Sequence, residues 1–143
     1  MTAKNTSATN VLRTHGFRVT SGRMKLLAML EKAAKPLSIQ AIRKLWRGRK
    51  SDQATLYRTL NDLALAGIVK RIDMNTGTAH FEYTPDHPHH HHLICTGCGT
   101  IEDVEGCEIP NIEKTVARHS KNFGEIYSHT LEFFGRCLRC PQT

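Results

Sequence analysis

Apolar positions in the first half of the chain recur at helical spacing. Val11 and Leu12 lie in a short segment closed by Gly16, and Met24, Leu27, Ala28 and Leu30 share one face of a second helix. Thr20 or Ser21 can cap that helix, and Pro36 stops it or follows its end. Ser38 is placed to cap a third helix bearing Ile39, Ile42, Leu45 and Trp46. Ser51 or Asp52 opens a fourth, in which Leu56, Leu60, Leu63 and Gly67 fall on one stripe while Thr55, Tyr57, Arg58, Asn61 and Asp62 occupy the opposite face. The next stretch, IVKRIDMNTGTAHFEY, reads as two strands around a turn at Asn75-Thr76-Gly77. Three helices followed by a hairpin is the layout of a winged helix-turn-helix.

The pattern changes at TPDHPHH, whose two prolines suggest a hinge. Beyond it, HLIC, TIEDVE and GEIYSHTLEFFG are strand-like, with a helix from about Pro110 to His119 between the last two. The expected architecture is therefore α+β. A winged helix-turn-helix over residues 1–84 is followed by a hinge over 85–91 and a small α/β unit over 92–143, read as the dimerisation and metal-binding part.

Charge supports this division. The chain of 143 residues carries a net +7, but residues 1–84 hold a balance of +10 and residues 85–143 one of −3. A basic half joined to a mildly acidic, His- and Cys-rich half implies two jobs, the first of them with a polyanion. The N-terminal MTAKNTSATN is polar, and no apolar run is long enough to span a bilayer, so a cytoplasmic protein with no membrane partner is expected.

In a reducing compartment paired CxxC motifs read as metal ligation before disulfide. Four of the five cysteines form two such pairs, Cys95/Cys98 and Cys137/Cys140. Each knuckle presents two sulfurs, and together they can close a tetrahedral zinc site. Four thiolates leave no open coordination position, so the site is structural. Four metal-free thiols, or a redox dipeptide, are the alternatives; two matched pairs do not resemble one redox motif at a helix start. Cys107, unpaired in sequence, reads as a small core residue, with a redox-sensing thiol or an extra metal ligand as the alternative.

Five histidines lie within residues 87–92, and His80 and Glu82 precede them. The run leads into a strand, where alternation sends His90 and His92 to one face and His89 and His91 to the other. One run can therefore feed two metal sites, against the alternative of a solvated polar loop. Imidazoles suit zinc, iron, nickel or copper, and added carboxylate favours harder ions. His15 and His119 read as ordinary helix-end histidines, and Trp46 as core.

The blocks GFRVTSGRMKLLAML, ATLYRTLNDLALAGIV, FEY, HHHHLICTGCG and SHTLEFFGRCLRC, in this order over roughly residues 11–140, resemble the ferric uptake regulator (Fur) family. The resemblance implies a metal-responsive transcriptional repressor that binds promoter DNA as a homodimer and controls zinc or iron homeostasis. A peroxide-sensing regulator of the same family is the alternative. It implies a structural zinc on Cys95, Cys98, Cys137 and Cys140, and a regulatory site, for zinc or Fe(II), on Glu82, His90 and His92, with Asp103 and His80 as candidates to complete it. A further site is implied on His89, His91 and His129, with Glu108 as the candidate glutamate. Two departures stand out. Pro36 replaces the histidine usual before the third helix in iron-sensing members, and Lys70 occupies a place where zinc-sensing members carry Asp or His. His91 stands where iron-sensing members have Asp, which is more like the zinc-sensing branch.

A helix that enters the major groove needs hydrogen-bonding residues on its exposed face. Gln53, Thr55, Tyr57, Arg58 and Asn61 supply them here, and the resemblance implies DNA contacts for Tyr57, Arg58 and, in the minor groove, Arg18. Arg43, Lys44, Arg47, Arg49 and Lys50 form a basic patch suited to phosphates, with Arg23 and Lys25 as further candidates. Leu131, Phe133 and Phe134 are expected at the core of a dimer interface. Two rival functions remain: a zinc enzyme with Glu82 as base, and a constitutive DNA binder whose zinc is only structural. Nothing in the sequence resembles a substrate pocket, so no enzymatic activity is expected.

Overall fold

The computed structural model describes residues 7–46, 52–74, 77–85, 90–105, 111–127 and 129–141. The chain divides into two compact units, residues 1–87 and 88–143.

The first unit is built as the hydrophobic pattern predicts. Helix α1 spans Ala8–Thr14 and buries Val11 and Leu12. Helix α2 spans Ser21–Lys32, and its cap is Thr20, whose hydroxyl accepts from the Arg23 N–H at 3.3 Å. A two-residue strand, β1 (Leu37–Ser38), runs directly into α3 (Ile39–Leu45), where Ser38 Oγ accepts from the Ala41 N–H at 3.1 Å. Helix α4 spans Gln53–Leu65 under an Asp52 cap, and Gly67 follows it at a φ of +73°, a conformation that glycine adopts without a Cβ penalty. The hairpin is β2 (Val69–Asp73) and β3 (Ala79–Tyr83); Asn75 and Thr76 of its expected turn lie outside the described residues.

β3 is the middle strand of the sheet β1-β3-β2, antiparallel to both neighbours, with Leu37 opposite Phe81 and Arg71 opposite Phe81 on the other side. Leu12, Leu27, Ile42, Leu60, Leu63, Ile68 and Phe81 are completely buried in one core, and each such side chain contributes about 1.5–3 kcal/mol relative to exposure. Trp46 closes the core at its edge, with the Lys25 ammonium 5.1 Å from its ring centre.

The second unit has strands β4 (His90–Cys95) and β5 (Ile101–Glu105), helix α5 (Ile112–His119) and strand β6 (Glu132–Gly135). β4 is central, antiparallel to β5 and parallel to β6. The strand read at HLIC starts two residues earlier, at His90, and residues 86–89 lie outside the described residues. The strand expected over 124–135 is formed only from Glu132, where pairing with His92 begins. Ahead of that point Phe123 and Tyr127 are 68% and 89% exposed, so the chain supplies them with neither ladder nor core.

Among the described residues of this unit burial is sparse. Ile94, Cys95, Ile101, His91 and His92 are buried, and α5 buries no residue at all. A unit this small with so little apolar burial needs another source of stability, such as a metal or a partner subunit.

Candidate functional site

The end of β4, the turn after it and the segment after β6 bring four sulfurs together. The Sγ atoms of Cys95, Cys98, Cys137 and Cys140 all lie within 4.8 Å of one another. Cys95 and Cys140 are 3.7 Å apart, and Cys98 and Cys137 3.6 Å. None of the four is in a disulfide. A zinc ion 2.3 Å from each sulfur of a tetrahedron requires edges of ~3.8 Å, so the donor set fits zinc in both chemistry and size.

Hydrogen bonds surround the sulfurs. The Cys137 N–H donates to Cys95 Sγ at 3.3 Å. Arg139 Nη2 donates to Thr100 Oγ1 at 3.2 Å, and the threonine hydroxyl pairs with Cys98 Sγ, also at 3.2 Å, donating to it when the sulfur is a thiolate. Backbone donors, that of Cys137 first and that of Cys98 next, lower the Cys95 pKa to about 5, and the Thr100 hydroxyl lowers that of Cys98. Cys140 goes the other way, to about 12, because the sulfurs of Cys95, Cys98 and Cys137 disfavour another negative charge beside them. At this spacing a cation among the sulfurs is what would let all four ionise together.

Alternation along β4 separates the histidines as expected. His90 and His92 share one face, with ring centres 4.9 Å apart and planes at 83°. His92 is completely buried, and its Nε2 stands 3.7 Å from Asp103 Oδ1 on the adjacent strand, directly across the ladder. His91 faces the other way. It is 3% exposed and stacks on His129, the ring centres 5.4 Å apart.

A residue that sequence reasoning missed completes this second group: Glu113, in the first turn of α5, has Oε1 2.7 Å from His129 Nδ1. The candidate named from sequence, Glu108, lies outside the described residues, as do His89 and Cys107. An acidic residue in the first turn of the expected helix was the available signal. In the first unit, Glu82 and His80 both lie on β3, half-buried, opposite Lys70 and Ile72 respectively.

The proposed nucleic-acid face is on α4. Tyr57 is 40% exposed, Arg58 is exposed and Asn61 is half-buried. Thr55 is engaged elsewhere: its N–H donates to Asp52 Oδ1 at 2.9 Å and its hydroxyl to Asp52 Oδ2 at 2.6 Å, which makes it part of the helix cap. Arg43 Nη1 donates to Gln53 Oε1 at 3.0 Å, tying α3 to the start of α4. Arg18 is exposed just ahead of α2, and its carbonyl accepts from Arg23 Nη1 at 2.9 Å while the Arg23 guanidinium lies 5.2 Å from the Phe17 ring centre. Arg23 therefore braces the turn that carries Arg18. Of the basic patch, residues 47–50 lie outside the described residues.

Comparison with known proteins agrees with this geometry. The family model described as the ferric uptake regulator family matches residues 14–134. The ferric uptake regulation protein of Bordetella parapertussis is 34% identical over 135 residues, covering 92% of this chain and 94% of that protein. The ferric uptake regulator of Pseudomonas aeruginosa, solved with manganese, has a TM-score of 0.73 at 30% identity, covering 92% of this chain and 98% of that one. That of Francisella tularensis, solved with iron, has a TM-score of 0.67 at 30% identity, covering 86% and 93%. The fold is accordingly α+β, a winged-helix unit followed by a small α/β unit with a four-cysteine cluster. The chain belongs to the ferric uptake regulator family, regulators of metal uptake and not enzymes.

Proposed function

We propose that this protein is a metal-responsive repressor that binds promoter DNA as a homodimer in the cytoplasm. The observation that carries the reading is the pairing of two features in one chain. An exposed, hydrogen-bonding helix face lies in a strongly basic half, and a strand in the other half presents histidines on two faces beside Asp103 and Glu113.

The cysteine cluster holds structural zinc. His90, His92 and Asp103 hold the regulatory ion, with Glu82 of the winged-helix unit, and His80 as a candidate, drawn onto it. By sharing one ion these residues restrict how far the two units move apart, and the restriction favours the spacing at which both recognition helices of a dimer enter successive major grooves. His91, His129 and Glu113, with His89, form a second site. Imidazoles make up most of the second set, and His91 stands where iron-sensing members carry Asp, which favours Zn(II) over Fe(II), although the Pseudomonas aeruginosa and Francisella tularensis relatives were solved with manganese and iron.

The dimer reading is supported by α5, whose Val116 is 51% exposed, and by the exposed Phe123, Tyr127, Phe133 and Phe134 of the same unit. On the DNA side, Tyr57 and Arg58 meet the major groove and Arg18 the minor groove.

Titrating Zn(II) or Fe(II) into protein that retains only its structural zinc, while following binding to promoter DNA, tests the proposal. Affinity should rise by a factor of roughly 5–150, corresponding to a coupling of about 1–3 kcal/mol. Glu82→Ala or His92→Ala should abolish the rise while leaving the structural zinc in place. Equal affinity with and without the added ion would leave a constitutive DNA binder.

A further inference from the structure

The reading face of α4 is gripped from the neighbouring sheet by a residue that no motif singles out. Arg71 lies exposed on β2, and its Nη1 donates to Tyr57 Oη at 3.2 Å and to Asn61 Oδ1 at 3.4 Å. The guanidinium carbon also lies 5.9 Å from the centre of the Tyr57 ring. One nitrogen with two protons thus serves both partners.

We propose that Arg71 is a positioning residue for DNA reading: it holds Tyr57 and Asn61 in one arrangement and leaves the Tyr57 hydroxyl as a hydrogen-bond donor to the nucleic acid. The assignment rests on the proposal that α4 reads DNA.

The chemistry sets the direction of each bond. A guanidinium has donors only, so the phenolic oxygen must accept, and the phenol's own proton is not used in this bond. It is available to a phosphate oxygen, thymine O4, or guanine O6 or N7. The hydrogen bonds from Asn61 and Arg71 also lower the Tyr57 pKa, which strengthens the phenol as a donor. Asn61 is held by the same guanidinium, which takes up one of the two acceptor sites of its amide oxygen. Its hydrogen bond to Tyr57 makes it a support for that side chain.

Arg71 is attached to a strand of the hairpin, so it carries the register of the sheet onto the helix face. Tyr57 and Asn61 are ordered before DNA arrives, and their rotamer entropy is not lost on binding. The rival role for Arg71 is a direct phosphate contact, for which its other N–H groups are suited.

The probe is a duplex recovered from a random-sequence library by the metal-loaded wild-type protein. Its affinity is measured for Arg71→Met, Tyr57→Phe, the double variant and Arg71→Lys across a range of salt. Losing Arg71 should weaken binding by about tenfold in the wild-type background. The same change should cost about twofold or less once Tyr57 is Phe. The dependence of log affinity on log salt should not change, and Arg71→Lys should retain part of the affinity through the donors of its ammonium group.

Equal losses in both backgrounds overturn the positioning role, as does a salt slope that falls by about one unit in Arg71→Met, which marks a lost phosphate contact. Thermal unfolding of each variant guards against misfolding, and Arg71→Gln replaces Arg71→Met if the latter melts early. A wild-type protein that prefers no duplex overturns the regulator reading as well. A selective wild type with no coupling between positions 57 and 71 overturns only this inference.

Discussion

At Gly97 the first CxxC turn passes so close to the second that a Cβ would lie 2.9 Å from Cys140 Sγ and 3.3 Å from its Cβ. Absence of a side chain there is what lets the two knuckles share one centre. Gly97→Ala should therefore loosen zinc, read as faster transfer to a colorimetric chelator, whereas Gly124→Ala, with open space around it, should not. Asp52 makes a different kind of point contact. Its carboxyl is held below its ordinary value of 3.8, first by the Thr55 hydroxyl and then by the Thr55 N–H. A depressed carboxylate contributes stability above its ordinary pKa and loses it as pH falls through the lowered value. Asp52→Ala should lower the urea midpoint at neutral pH, and the gap to wild type should close as pH falls below the ordinary carboxylate value and through the lowered one. A gap unchanged by acid would mean that the charge of Asp52 is not what caps α4.

At the scale of elements, α4 joins packing to the proposed recognition of DNA. Its buried stripe of Leu56, Leu60 and Leu63 fixes the helix in the core so that Tyr57 and Arg58 stand outward. Leu60→Ala should cost about 2–5 kcal/mol in chemical denaturation, because Leu60 is completely buried. Helices of this sort are legible in sequence. The caps at Thr20, Ser38 and Asp52 and the stop at Gly67 depend on local hydrogen bonding and backbone freedom, which a few neighbouring residues decide. The alternation that places His91 opposite His90 and His92 is legible for the same reason. Strand β1 was not legible: two residues carry no period, and Leu37 and Ser38 become a strand only because β3 lies alongside. The shortened β6 has a related cause. Apolar alternation through 124–135 satisfies a strand pattern, yet a ladder needs a partner edge, and pairing begins only at Glu132. Glu113 escaped because the approach of α5 to His129 is a tertiary fact, and a carboxylate at a helix start otherwise reads as a favourable partner of the helix dipole.

On the scale of the whole molecule, the two units differ in how they are stabilised. The first has a contiguous apolar core, and the second relies on a small buried set, the cysteine cluster and, in the proposed dimer, a second copy. Val116→Glu combined with Phe123→Ser should shift the protein from dimer to monomer in sedimentation while the winged-helix unit keeps its thermal transition. A dimer that survives both changes would move the interface elsewhere.

Parallel pairing of β4 with β6 joins His92 to Glu132 and Cys95 to Gly135 across a long intervening segment, in contrast to the tight hairpin of the first unit. Closing so wide a loop is slow for an unaided chain. Thiolates at both ends that capture one ion in the unfolded ensemble would shorten that search. Refolding should consequently split into two phases, a fast one indifferent to zinc and a slower one that accelerates with it, so that zinc supply sets how soon a newly made chain matures.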